Sequence, residues 1–283
     1  MKGKTVVVTG ANQGIGKVSA LELAKLGADV VLVCRNEAKG RAAADEIRSL
    51  APSSTIELVV ADLASLDEVR RAANEIKAAH PRIDVLLNNA GLIVPKRRET
   101  VDGLEETFAV NHLAPFLLTN SLLDALRAAP SGRVVTVSSS AHRGAKLDWD
   151  DLQALRGYAA FKVYCRSKLA NVLFTYELAR RLEGTNVTAN TLHPGVIASG
   201  FGQSYPGWLS VFIGLGKPFM ASNEQGAKTS IFLASSPDVE GVSGRYFDKC
   251  KAVKSSAASY DVASQKRLWE VSEELVAKKA RAA

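Results

Sequence analysis

The sequence predicts an α/β fold, a single Rossmann-type, doubly wound parallel sheet of about seven strands with helices on both faces. Three observations predict it. Short β-branched runs alternate with segments of helical period along the first two-thirds of the chain. Those runs are nearly continuous in apolar residues, as strands covered on both faces must be. The first run also leads straight into a glycine-rich turn that opens a helix.

Taken in order, Val6-Val7-Val8 is the first strand and a helix follows from about Gly14 to Leu26, with Gly27 as its stop. Val30 to Val33 is the second strand, followed by an Ala/Arg/Glu-rich helix from Glu37 to about Leu50. Ile56 to Val60, Val85 to Leu87, Val134 to Val137 and Val187 to Leu192 continue the strands, with helical segments between them. A helical pattern begins near Tyr164 and runs through Leu182. The last helix spans about Ser259 to Lys279 and packs through Leu268, Trp269, Val271, Leu275 and Val276, on the domain or on a neighbouring subunit. No repeat or Ser/Gly linker interrupts the chain, so residues 1–283 read as one domain. An apolar stretch at about 198–221, with Trp208, Phe212, Phe219 and Met220, is the one change of composition.

Of the 283 residues 47% are hydrophobic and 23% charged, which excludes collagen, low-complexity disorder and a disulfide scaffold. The formal charge of +7 is scattered, its densest runs being Lys96-Arg97-Arg98 and Lys278-Lys279-Ala280-Arg281, so no nucleic-acid partner is expected. Cys34, Cys165 and Cys250 are odd in number and far apart, which predicts packed thiols in a reducing compartment. The four histidines lack ligand spacing, so no metal is expected. No apolar run reaches the length of a membrane span, which predicts a soluble, cytoplasmic protein.

The turn after the first strand reads Thr9-Gly10-Ala11-Asn12-Gln13-Gly14-Ile15-Gly16. Glycines there allow a sharp turn and a close approach to a pyrophosphate, which the amides and dipole of the helix N-terminus attract. Gly10, Asn12, Gln13, Gly14, Ile15 and Gly16 are therefore candidate dinucleotide contacts. An acid at the tip of the second strand would favour NAD, but this strand ends Cys34-Arg35-Asn36. Arg35 thus points to NADP(H), with Asn36 beside it and Lys17 or Lys39 as helpers; stacking of Arg35 on the adenine is the other reading.

Tyr164-Cys165-Arg166-Ser167-Lys168 puts Tyr164 and Lys168 on one helix face. An ammonium beside a phenol stabilises its phenolate, and such a tyrosine can exchange a proton with a carbonyl or alcohol oxygen. With TGANQGIG, Asp62-Leu63, NNAG (Asn88 to Gly91), Asn111 in VNHLAPF, the run Ser138-Ser139-Ser140, YCRSK and Pro194-Gly195 in order, the chain resembles the short-chain dehydrogenase/reductase family along almost its whole length. The resemblance implies Tyr164 as general acid/base, Lys168 on the nicotinamide ribose and lowering the Tyr164 pKa, and Ser139 on the substrate oxygen. It implies a water-linked proton relay through Asn111 and Lys168. Asp62 and Leu63 would contact adenine, Asn89, Ala90 and Gly91 would line the cofactor, and Pro194, Gly195 and Val196 would flank the nicotinamide. Ser199 stands where the family has Thr and keeps a hydroxyl. Alternation along a strand end turns Ser138 and Ser140 away from the side that Ser139 faces.

Within the family, VNHLAPFLLT, SKLANVLFTYELARRLEG, VTANTLHPGV and QKRLWEVSEELV resemble the retinol dehydrogenase-like branch. That implies NADP(H)-dependent chemistry on retinoids or other lipophilic carbonyls and alcohols. Membrane-bound members carry an N-terminal apolar anchor, whereas this chain starts at its first strand: a soluble relative, or one whose anchor lies outside the sequence. The family also implies a homodimer or homotetramer. The stretch 198–221 is expected to cover the substrate; peripheral membrane contact and plain core are the other readings. His112 and His142, beside candidate positions, are read as capping or wall residues. The competing functions are reduction of a steroid, quinone, acyl-linked or protochlorophyllide-like carbonyl, and a dinucleotide-binding regulator without turnover.

Overall fold

A computed structural model describes residues 1–195 and 222–277. The expectations for Val196, Ser199, the stretch 198–221 and the basic tail from Lys278 fall outside the described residues.

β1 (Thr5–Thr9) pairs in parallel with β2 (Asp29–Cys34) on one side and with β4 (Val85–Asn88) on the other. β3 (Ile56–Val60) extends the sheet beyond β2, and β5 (Gly132–Val137) and β6 (Val187–His193) extend it beyond β4, all in parallel. The chain therefore builds outward from β1 in one direction and then resumes beside β1 in the other. This places a topological switch point at the carboxyl ends of β1 and β4, where doubly wound sheets bind ligands.

Side-chain alternation sorts the strands between two cores. Val7, Val31, Leu86 and Val134 face one layer, made by α3 (Leu66–Ala79), α4 (Ala114–Arg127), α5 (Ala160–Arg181) and α7 (Val262–Ala277). Val6, Val8, Val30, Leu32 and Leu87 face the other, made by α1 (Gly14–Lys25), α2 (Glu37–Leu50) and α6 (Asn223–Ser235). The period of two explains why whole strands read as apolar. Gly27 ends α1 as expected: at φ +89° it lets its own N–H reach Ala24 O and the Ala28 N–H reach Leu23 O, a Schellman closure. Asn36 and Ser65 cap α2 and α3 by accepting from the Lys39 and Glu68 amides. Buried Asp84 accepts from the Thr5 amide at 3.0 Å and from Arg82, latching β1 to the entrance of β4. Among the described residues no helix is long and apolar enough to cross a membrane.

Among the described residues the sheet has eight strands, one more than the expected seven or so. β7 (Tyr246–Asp248) joins β6 in parallel, and β8 (Lys251–Val253) returns antiparallel as an edge strand. The turn between them is Lys249-Cys250, both at positive φ (49° and 60°), the backbone of a two-residue hairpin that normally selects Asn-Gly. Neither residue signals a turn, which hid the hairpin in the sequence. The last helix also begins later than Ser259, because a 3-10 turn at Ala257–Tyr260 precedes it. Left-handed backbone costs a non-glycine residue about 1 kcal/mol or more, and the Cys250 amide keeps its bond to Thr229 Oγ1 whatever its side chain. Lys249→Asn with Cys250→Gly is therefore expected to raise stability by about 1–2 kcal/mol. Urea denaturation checks this, and an unchanged midpoint would argue that the turn is unstrained.

Candidate active site

At the tip of β1, Thr9 Oγ1 accepts from the Asn89 and Ala90 amides, both at 3.0 Å, while Asn89 Nδ2 donates to Thr9 O at 2.8 Å. These bonds bring the glycine turn and the Asn88–Gly91 segment together across the switch point. Gly10 is at φ +67°, and Gly16 leaves no room for a side chain: a Cβ there would lie 2.4 Å from both Gly10 O and Asn89 Nδ2. Thr9 was not singled out in the sequence, though its place at the head of the glycine run was the available signal. Gln13, the residue before α1, gives no side-chain cap, and no acid sits in the first turn. The first-turn amides of α1 thus present donors and a positive dipole end, the donor set a pyrophosphate requires. Asn12 and Ile15 lie in the same half-buried turn.

At the tip of β2, exposed Arg35 stands 3.6 Å from Asp62 Oδ2, and the other Asp62 oxygen accepts from the Ala64 amide. Arg35, Asn36 and Asp62 thus come together at one strand end, whereas Leu63 turns into the core. Lys17 pairs with Glu46 on α2.

The second cluster joins α5 to the ends of β4 and β5. Lys168 is buried, and its Nζ donates to Val137 O at 3.1 Å and lies 5.7 Å from the Tyr164 ring centroid. Burial pulls its pKa down to about 8. A Cβ on Gly91 would be 3.1 Å from Lys168 Nζ and 3.4 Å from Asn111 Oδ1, so these side chains converge closely on Gly91. Asn111 lies in a π-helical turn, Ala109–Leu113, just before α4. Its amide bonds the Leu92 main chain on both sides and donates to Ser167 Oγ at 2.9 Å. Ser167 in turn donates to Tyr164 O, fixing the turn of α5 that carries the tyrosine.

The three serines of the run have different surroundings. Ser138 is buried with its hydroxyl bonded to Lys168 O, Ser140 is exposed, and half-buried Ser139 accepts from the Ala141 amide while keeping its own proton to give. Pro194 and Gly195, the latter at φ +91°, follow directly after β6. His112 lies in a cage of Phe108, Phe116 and Phe174, its Nε2 2.8 Å from Ser272 Oγ, and burial drives its pKa to about 3. It is a packed strut. An open cleft of about 1070 Å³ borders the cluster rather than enclosing it. Its wall includes Ser140 and Ala141 after Ser139, Phe161 stacked on Tyr164, and Leu147 and Trp149.

The short chain dehydrogenase family model matches residues 4–209. The chain is 44% identical over 292 residues to human retinol dehydrogenase 14, covering 98% of this chain and 87% of that protein. It is likewise 44% identical over 280 residues to human retinol dehydrogenase 13, covering 97% and 85%. An uncharacterised protein from Mycobacterium paratuberculosis superposes with a TM-score of 0.79 at 34% identity, over 97% of this chain and 94% of that one. A short chain dehydrogenase from Shigella flexneri, solved in complex with NADP, gives 0.69 at 25% identity over 89% and 98%.

Proposed function

The chain belongs to the short-chain dehydrogenase/reductase family, in its retinol dehydrogenase-like branch, and on that premise we propose that it is an NADP(H)-dependent oxidoreductase interconverting a carbonyl and an alcohol on a lipophilic, retinoid-like substrate. One observation carries this reading. The buried Lys168 ammonium stands beside the Tyr164 ring and against Gly91, in the segment that Thr9 bonds to the glycine turn. When bound, the dinucleotide supplies or accepts the hydride. In the reducing direction Tyr164 gives its phenolic proton to the carbonyl oxygen, and Lys168 stabilises the phenolate left behind. Ser139 donates a hydrogen bond to the same oxygen. Asn111 shapes the wall through which Lys168 passes protons by way of water. Gly10, Asn12, Gln13, Gly14, Ile15 and Gly16 would hold the pyrophosphate, Asp62 with the main chain of Leu63 would border the adenine, and Asn89, Ala90, Gly91, Pro194, Gly195, Val196 and Ser199 would hold the nicotinamide half.

Arg35 and Asn36 take the 2′-phosphate, and the NADP complex of the Shigella flexneri relative supports this choice. A guanidinium–phosphate bond is worth about 1.5–3 kcal/mol. Arg35→Ala is accordingly expected to raise the KM for NADPH roughly 10- to 100-fold while leaving that for NADH nearly unchanged. Initial rates over both cofactors check it, and equal losses would remove Arg35 as the discriminator.

The apolar side chains of the cleft, Leu147, Trp149 and Phe161, support a lipophilic substrate, as do the names of the human relatives. The direct test is NADPH consumption with retinal, long aliphatic aldehydes, a steroid ketone and a quinone, with NADH in parallel. Turnover of retinal or long aldehydes with NADPH is the expected result. Turnover confined to the steroid or quinone would replace the substrate class, and tight NADPH binding with no turnover would favour a regulator.

A further inference from the structure

The peptide group joining Ser139 to Ser140 is held on each of its polar atoms by a different histidine. His142 Nδ1 lies 2.6 Å from Ser139 O, and His193 Nδ1 lies 3.2 Å from Ser140 N. A carbonyl only accepts, so His142 Nδ1 carries a proton; an amide only donates, so His193 Nδ1 carries none. His142 Nε2 accepts from the Ser256 amide at 3.0 Å. The two bonds in which a ring accepts, Ser140 N–H to His193 Nδ1 and Ser256 N–H to His142 Nε2, therefore require neutral rings, and for His142 both nitrogens are assigned.

We infer that His142 and His193 are positioning residues that clamp the Ser139–Ser140 peptide and thereby aim the Ser139 hydroxyl at the reacting oxygen. The inference rests on the dehydrogenase reading above. Ser139 is the extended residue (φ −157°, ψ 155°) at which β5 gives way to the 3-10 turn Ser140–Gly144, and its hydroxyl bonds the Ala141 amide within that turn. Rotation of the peptide plane would move this turn and the hydroxyl with it. The clamp has two anchors. His193 is the last residue of β6, immediately before Pro194-Gly195. On the other side, Ser256 O accepts from Ser259 Oγ, which bonds Ser255 Oγ and through it the hydroxyl of Tyr176 on α5. The helix bearing Tyr164 and Lys168 and the segment after β6 are thus both tied to the peptide that follows Ser139.

Protonation opens the clamp. A proton on His193 Nδ1 removes the acceptor for Ser140, and one on His142 Nε2 faces the Ser256 donor. Burial lowers both pKa values below the usual 6.5, with Arg143 lowering both further. The Ser139 carbonyl opposes this at His142 and Asp248 on β7 opposes it at His193, while His193 adds to the lowering at His142 and Tyr246 packs at 4.8 Å on His142. Both rings are therefore neutral at pH 7, and the acid limb of kcat lies below pH 6.5.

The test compares His142→Phe and His193→Phe with His142→Asn and His193→Asn, whose amides return a donor to Ser139 O and an acceptor to Ser140 N. Both Phe variants are expected to lose on the order of 10- to 100-fold in kcat, with NADPH affinity within about threefold, and both Asn variants to recover most of it. Parental kcat in Phe variants that melt cooperatively and bind NADPH overturns the inference, as does failure of both Asn variants to recover. If a Phe variant does not fold, the acid limb decides: His193→Asn cannot be protonated there and should shed one proton from it, and an unchanged limb overturns the clamp. Amide exchange separates this inference from the function. Turnover of no carbonyl by the parent defeats the dehydrogenase reading, whereas slow Ser140 exchange that accelerates in His193→Phe supports the clamp and fast exchange in the parent defeats it.

Discussion

Tyr164→Phe is expected to lower kcat by roughly 10²- to 10⁴-fold, the range that general acid–base catalysis supplies, and to leave NADPH affinity within about twofold. The substitution removes one oxygen. The ring keeps its stacking on Phe161, 6.4 Å between centroids, and its place one helical turn before Lys168. The glycine turn, Arg35 and Asp62, which would hold the dinucleotide, lie on other elements and are untouched. Single-turnover consumption of NADPH measures the loss, and quenching of NADPH fluorescence measures the affinity. A variant that reduces its substrate at the parental rate would remove Tyr164 from the chemistry. One that no longer binds the dinucleotide would make it a binding residue instead.

Lys168→Met should separate activity from stability, lowering turnover by a comparable factor while making the protein without cofactor more stable. The ammonium is buried, and its pKa of about 8 stands against the ordinary lysine value of 10.5. That difference corresponds to about 3 kcal/mol at most, spent on keeping a charge out of water. Methionine fills nearly the same volume without the charge. Val137 O, which loses the lysine donor, keeps the bond from Asn171 Nδ2 at 3.2 Å, so no buried acceptor is orphaned. The expected gain at pH 7 is about 1–3 kcal/mol, or roughly 3 to 8 °C in Tm. The pH dependence carries the same signature. Between about pH 8 and 10.5 the unfolded chain binds a proton that the folded chain has released, so Lys168 makes stability rise with pH through that window. The methionine variant should lack this rise. A fall in Tm on substitution would mean that the ammonium is held by more than the Val137 carbonyl.

The catalytic candidates illustrate how far the sequence could be read. Tyr164 and Lys168 are one turn apart on a single helix, so their common face follows from helical geometry alone. The choice of Ser139 over its neighbours rested on the family resemblance with strand alternation beside it; the structure buries Ser138 and exposes Ser140 at the start of a 3-10 turn. His142 shows the opposite case. The sequence reads it only as a capping or wall residue, and the structure shows both ring nitrogens committed to main-chain groups, one of them 114 residues away. The β7–β8 hairpin was hidden for a different reason. Its turn uses Lys and Cys in left-handed backbone, and strands of three residues are too short to display a period.

What the sequence by itself determined is whatever depends on neighbours within a turn or a strand: the α/β alternation, the glycine turn opening α1, the Gly27 stop and the Tyr164–Lys168 face. These are local because helical and strand periods, caps and the steric freedom of glycine act over a few residues. Only the tertiary structure decided that Asn111 and Lys168 converge on Gly91, that Thr9 binds the ends of β1 and β4 together, and that two histidines grip the peptide after Ser139. Each of these joins groups from different elements. Their hydrogen bonds and burial arise only when packing removes water and brings distant segments within 3 Å, which no local pattern in the chain encodes.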